Sequence, residues 1–167
     1  TFTSAGEVFF FFFLNNAGGT LTLPAGGSYT IDGGRINGGT LNQTANPLRF
    51  NSADNRFIDL QVQGELTLEA SGARVRIEGS TSFGVLRLRG SGSGVGFSPG
   101  YILTGEVIFE GAGAKYVELT AAGTFTIAPS GKVTTSSSPD ATGTSTIGAS
   151  NFYGGAMTLV NQGAITH

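Results

Sequence analysis

The stretch Gly64-Glu-Leu-Thr-Leu-Glu-Ala-Ser-Gly72 decides the reading of this chain: a Gly, a strict polar–apolar alternation and a Ser-Gly corner follow one another directly. In extended backbone successive side chains point to opposite sides, so Leu66 and Leu68 face a core while Glu65 and Thr67 face water. The same template returns as Gly19-Thr-Leu-Thr-Leu-Pro-Ala-Gly-Gly27, Gly84-Val-Leu-Arg-Leu-Arg-Gly-Ser-Gly92, Gly105-Glu-Val-Ile-Phe-Glu-Gly-Ala-Gly113 and Gly123-Thr-Phe-Thr-Ile-Ala-Pro-Ser-Gly131. Weaker copies start at Gly39 and Gly143. From Gly19 onward the starts lie 20, 25, 20, 21, 18 and 20 residues apart. A recurring period of this size marks a repeat architecture.

Aligned on the Gly, one inward column reads Leu21, Leu41, Leu66, Leu86, Val107, Phe125, Ser145 and the next Leu23, Gln43, Leu68, Leu88, Phe109, Ile127, Ile147. Gln43 and Ser145 are the polar exceptions. A second alternating pair follows in most copies, at Tyr29/Ile31, Leu48/Phe50, Val75/Ile77, Val95/Phe97, Val117/Leu119 and Val133/Thr135. A third, less regular strand fits around Ile36, Phe57 to Val62, Thr81 to Phe83 and Tyr101 to Leu103. Three short strands per repeat joined by Gly- and Ser-rich corners predict an all-β fold, a right-handed parallel β-helix (β-solenoid) with about 20 residues per coil and roughly 7–8 coils. An antiparallel sandwich is the rival, but the columns run in the same direction each time and two-residue hairpin turns are scarce.

Composition agrees. The 167 residues hold 28 Gly, 20 Thr and 15 Ser but only nine Lys plus Glu, which excludes an all-α protein. At 39% hydrophobic the chain can bury a core, so it does not read as disordered. A net charge of −2 gives no general attraction to nucleic acid or to an anionic membrane. With no Cys there is no disulfide framework, thiolate metal site or thiol nucleophile. The run from Val8 to Leu14 lacks a basic flank and is too short to cross a bilayer, so it reads as strand and no membrane insertion is expected of this segment. The whole of 1–167 reads as one solenoid domain, with 1–18 an irregular first coil or cap and 134–146 a Ser/Thr-rich loop. It starts and stops in mid-pattern, as a segment of a longer repeat protein does.

No residue set reads as catalytic, no cofactor is expected, and no metal site is expected. Asp32, Asp54, Asp59 and Asp140 are widely separated, and His167 is the last residue, without a relay partner. Asp54, Arg56 and Asp59 read as a solvated ion pair on a longer loop. Glu69, Arg89 and Glu110 fall at one position of three consecutive copies and alternate in sign, as a cross-strand ladder does, with Glu65, Arg87 and Glu106 extending it. Arg74, Arg76, Arg87 and Arg89 are the candidate glycan-facing residues. The outward Thr-x-Thr pairs, Thr20/Thr22, Thr124/Thr126 and Thr144/Thr146, suggest a water-ordering face, but Glu65, Arg87 and Glu106 interrupt it. Phe9, Phe10, Phe11, Phe12 and Phe13 cannot all point inward; a flanking loop covers the outward ones, or they bury against another copy as a self-association surface, another domain or an apolar ligand.

Gly64–Gly72, Gly123–Gly131 and the closing Met-Thr-Leu-Val-Asn-Gln-Gly-Ala-Ile-Thr resemble the β-helical stalks of large bacterial surface proteins of the filamentous-haemagglutinin and autotransporter-passenger type. The likeness is one of repeat style and runs from Gly19 onward. It implies a secreted or surface-anchored rod, extracellular and bacterial, acting as adhesin, matrix or spacer. Its expected partners are copies of itself or neighbouring repeats, with glycan or extracellular matrix as further contacts. The alternative expectation is a carbohydrate-binding or carbohydrate-active β-helix.

Overall fold

Short alternating strands separated by Gly-rich corners wind into a parallel β-solenoid in the computed structural model, which describes residues 6–51, 54–137, 142–148 and 151–167. The first level holds β1 (Glu7–Phe10), β2 (Phe13–Asn15) and β3 (Thr20–Thr22), the second β4 (Ser28–Ile31), β5 (Arg35–Asn37) and β6 (Thr40–Asn42). The third holds β7 (Arg49–Phe50), β8 (Asp54–Ile58) and β9 (Gln61–Gln63). The fourth holds β10 (Leu66–Leu68) and β11 (Arg74–Glu78), with Ser82 bridging to Gln61 on the third side. Then come β12 (Val85–Leu88), β13 (Ser93–Phe97) and β14 (Ile102–Leu103), followed by β15 (Glu106–Phe109), β16 (Lys115–Leu119) and β17 (Gly123–Ile127). The last turn carries β18 (Lys132–Thr135), β19 (Ser145–Ile147) and β20 (Met157–Asn161), and β21 (Ala164–Thr166) closes the described chain. There is no helix among the described residues.

Three faces result. The second face is one seven-stranded sheet in the order β19-β16-β13-β11-β8-β5-β2. The first face is split into β1-β4-β7 and β10-β12-β15-β18-β21, and the third into β3-β6-β9 and β14-β17-β20. Neighbouring strands pair in parallel throughout these sheets, which rules out the antiparallel sandwich. Paired positions lie about 21 residues apart, as in Glu7 with Ser28, Arg35 with Arg56 and Val85 with Glu106. Seven strands on the second face stand at seven levels, with about six turns from the first to the last, and β21 begins a further level, in keeping with the roughly seven to eight coils expected.

The Gly-initiated copies do not all lie on one face. All three faces begin after a Gly corner and share the same alternation, so the sequence template does not distinguish them. Gly19 and Gly39 precede third-face strands, Gly64, Gly84 and Gly105 first-face strands, Gly123 opens a third-face strand and Gly143 precedes a second-face one. Thr40 pairs with Gln61, not with Glu65, so the 25-residue gap between Gly39 and Gly64 is a slip from one face to another. The last turn is also long, with Gly123 in register with Met157.

The inward columns survive this reassignment because inward residues alternate identically on every face. Leu21, Leu41, Leu66, Leu86, Val107 and Phe125 are buried, as are Leu23, Leu68, Leu88, Phe109 and Ile127. Aromatic rings stack through the middle: Phe97 lies 4.6 Å from Tyr101 and 4.9 Å from Phe125. Gln43, the polar exception, is buried and satisfied, its Oε1 accepting the Leu48 N–H at 2.8 Å and its Nε2 donating to the Glu65 carbonyl at 2.9 Å. Ser145, the other exception, belongs to the second face opposite Lys115 and is exposed. Corners are tight: Gly39 has φ +69°, and a Cβ there would strike the carbonyl oxygens of Asn16 and Gly19 in the level below.

The segments expected to be irregular carry strands. Residues 1–18 contribute β1 and β2 from residue 7 onward, while 1–5 lie outside the described residues. Of 134–146, Thr134 and Thr135 finish β18, Ser145 and Thr146 start β19, and 138–141 lie outside the described residues, Asp140 with them.

Candidate functional site

The Phe run lies on the first level, where β1, β2 and β3 are each the edge strand of their sheet. Phe10 points inward, pairs in register with Ile31 and is buried. Phe11, Phe12 and Phe13 are 60%, 55% and 56% exposed, and Phe9 stacks on Phe11 at 5.3 Å. The guanidinium of Arg35 lies 5.9 Å from the Phe13 ring centre.

At the opposite end β19, β20 and β21 are edge strands. Leu159 is in register with buried Phe125, and Ile165 with buried Val133, so both continue inward columns. With no described level above them they are 40% and 45% exposed.

The first face carries the expected charge ladder. Arg89 Nε donates to Glu110 at 2.8 Å and its Nη1 to Glu69 at 3.2 Å. Arg87 donates to Glu65 at 2.8 Å and reaches Glu110 at 3.5 Å. Glu106 leaves the ladder and accepts the Thr134 hydroxyl at 2.9 Å. The Arg87 hydrogen bond holds the Glu65 carboxyl below its ordinary range, and Arg89 does the same for Glu110. Where the first face breaks between β7 and β10, a groove of about 1010 Å³ opens, lined by Glu7, Phe9, Arg49, Glu65, Glu69 and Arg89 among others.

The second face is covered in part by a strap, Asn151, Phe152 and Tyr153, that precedes β20. Glu118 points outward from β16 yet is fully buried, its carboxylate accepting the N–H groups of Asn151 at 2.6 Å and of Phe152 and Tyr153 at 3.0 Å. The Phe152 ring sits 3.3 Å from the Arg74 guanidinium and the Tyr153 ring 4.8 Å from that of Arg76. Gly94 and Gly96 make room beneath: a Cβ at Gly96 would come within 2.5 Å of the Tyr153 ring, and one at Gly94 within 3.2 Å of the Phe152 ring. Burial pushes the Tyr153 hydroxyl upward in pKa. Two of the four candidate glycan-facing arginines, Arg74 and Arg76, are therefore engaged by rings of their own chain, and Arg87 and Arg89 by carboxylates.

Beside this strap, Asp54 binds two arginines, Arg56 at 3.2 Å and Arg76 at 2.7 Å. It belongs to β8, not to a loop, and Asp59 is elsewhere engaged, accepting from the Ser80 N–H at 2.8 Å. The sequence reading missed Arg35 and Arg56 as members of one outward column, although the dyads Arg35-Ile36, Arg56-Phe57 and Arg76-Ile77 recur at the coil period. It also missed the strap, which carries no periodic signal. Among the described residues there is no group of three or more His, Cys, Asp and Glu side chains able to hold a metal ion, and no helix long and apolar enough to cross a membrane. Compared with protein-family models, with curated proteins and with solved structures, the chain gives no match.

Proposed function

We propose that this solenoid is a non-enzymatic structural or adhesive rod of an extracellular or bacterial cell surface, built to stack end to end with further coils of its own kind. One observation carries the reading: Leu159 and Ile165 extend buried apolar columns into the last described level, whose strands β19, β20 and β21 each have an unpaired outer edge among the described residues. Apolar surface and unpaired backbone N–H and C=O groups are together satisfied by one more parallel coil. The exposed Phe11, Phe12 and Phe13 offer apolar surface at the other end, so a second copy stacking head to tail has complementary chemistry to meet. Contacts of that heterologous kind extend into filaments unless they close. The similarity of repeat style to filamentous-haemagglutinin and autotransporter-passenger stalks supports the surface location.

The groove beside β7 and β10 favours a second reading, a carbohydrate-active β-helix. It has carboxylates, but Arg87 and Arg89 hold Glu65 and Glu69, and the depressed Glu65 is the opposite of what a general acid needs. Cleavage of acidic polysaccharides in a substrate panel is the outcome that would install this reading.

The test of the first reading is sedimentation velocity with negative-stain microscopy over a concentration series. Species that lengthen with concentration, and shorten in Leu159→Lys and Ile165→Lys, are the expected result. Uniform single rods at every concentration would overturn it.

A further inference from the structure

Three arginines stand directly opposite one another on the second face: Arg35 pairs in register with Arg56, and Arg56 with Arg76. All three alternate with the buried Ile36, Phe57 and Ile77 and so project outward. Like charges on facing strand positions destabilise a sheet, and here three occupy successive levels about 4.8 Å apart. Among the described residues one carboxylate lies within ion-pair reach of the column, Asp54, and it is shared between Arg56 and Arg76. Arg35 has no carboxylate partner among them; its guanidinium rests over the Phe13 ring.

The first face shows the neutralised arrangement on the same scaffold. There Glu65 faces Arg87 and Glu69, Arg89 and Glu110 alternate in sign. The second-face column keeps its charge instead. Its surroundings do not cancel it: Arg74 adds a further cation, and Glu118 is taken up by the strap N–H groups. Glu78 lies beside Arg76, at the far end from Arg35. The column thus has one carboxylate, Asp54, for Arg56 and Arg76 and none for Arg35 among the described residues, so its excess charge lies toward Arg35, next to the exposed Phe13, which is in register with it.

We propose that Phe13, Arg35 and Arg56 form a binding strip for an acidic polysaccharide lying along the solenoid axis. Guanidinium groups pair bidentately with carboxylate or sulfate, and a flat exposed ring receives the apolar face of a sugar. A column rising one level at a time presents its cations in a line, as a linear polyanion presents its charges. The strip spans two strand spacings, roughly 10 Å, enough for two or three anionic groups. A chain of net charge −2 lacks the broad basic surface on which nucleic-acid binding depends, which favours the polysaccharide. The strip shares Phe13 with the end-to-end stacking surface, whereas Arg35 and Arg56 take no part in stacking, so loss of binding in Arg35→Gln reads the strip alone.

The experiment passes dilute protein over immobilised heparin, polygalacturonate, dextran and single-stranded DNA at about 50 mM salt, a concentration at which electrostatic contacts are weakly screened. Binding to at least one acidic polysaccharide, none to dextran and weaker binding to DNA is the expected pattern. Arg35→Gln is expected to weaken binding about tenfold, the loss of one charge-assisted pair. Phe13→Ala, at a site more than half exposed, is expected to weaken it as well, and Arg87→Gln on the neutralised face to change it less than twofold. No binding to either acidic polymer, equal binding to dextran or DNA, or an Arg87→Gln loss matching that of Arg35→Gln would overturn the proposal.

Discussion

Glu118 and Tyr153, 35 residues apart in sequence, are joined by a 3.0 Å hydrogen bond from the Tyr153 backbone N–H to a fully buried carboxylate that also takes the N–H groups of Asn151 and Phe152. Three converging donors replace the water the carboxylate loses, and that is why an acidic residue is tolerated at an outward position with no exposure. Glu118→Gln turns one acceptor oxygen into a donor facing N–H groups. The expected cost is about 1–3 kcal/mol of stability, read from denaturant unfolding, together with faster hydrogen exchange at Asn151–Tyr153.

Gly96 supplies the slot for the Tyr153 ring, and the contact leaves no room for a methyl group. Gly96→Ala is expected to lift the strap, increase quenching of tyrosine fluorescence by acrylamide and cost about 1–3 kcal/mol, as overpacking does. Gly94→Ala meets its ring at 3.2 Å and is expected to do less. Equal effects from the two would show that the rings do not seat individually.

The contrast between the first and second faces explains what could be read in the sequence. Gly64, Gly84 and Gly105 happen to precede consecutive strands of one face, so the Glu69–Arg89–Glu110 ladder was legible from spacing alone. Arg35 and Arg56 were not, because the Gly-aligned template slides between faces and set Ile36 and Phe57 in an irregular third strand. In the structure both belong to the most continuous sheet. The strap was invisible for a different reason: its contacts with Glu118, Arg74 and Arg76 are long-range and aperiodic. Inward columns stayed legible throughout, since alternation says which side a residue faces without saying which wall it stands on.

The first-face ladder makes stability depend on acid. Glu65 and Glu110 ionise at lower pH in the folded chain than their ordinary 4.5, chiefly through hydrogen bonds from Arg87 and Arg89. Lowered carboxyl pKa values stabilise above the unfolded value and lose that contribution as pH falls through the folded one. The melting temperature is thus expected to be flat across neutral pH with respect to these groups and to drop below about 4.5. In Arg87→Ala/Arg89→Ala the acid-dependent drop is expected to shrink. High salt is expected to shrink it too, because the side chains are solvent-accessible and screening weakens the pairs.

Lys115 presents the reverse problem, a buried cation held by three carbonyls. Its Nζ donates to Gly111 at 2.9 Å, Ala112 at 2.7 Å and Gly113 at 2.9 Å, closing the corner that leads into β16. Burial lowers its pKa, so the charge is held at a desolvation cost that these oxygens offset. Lys115→Met keeps the length and apolar stem but leaves the carbonyls without this donor. The expected loss is about 1–3 kcal/mol, with faster exchange confined to the corner and the start of β16. Lys115→Arg keeps the charge but replaces a compact three-donor ammonium with a planar fork, and it is expected to recover only part of the loss. A Met variant as stable as the parent would mean that the corner is fixed by its glycines, two of which, Gly111 and Gly113, have positive φ.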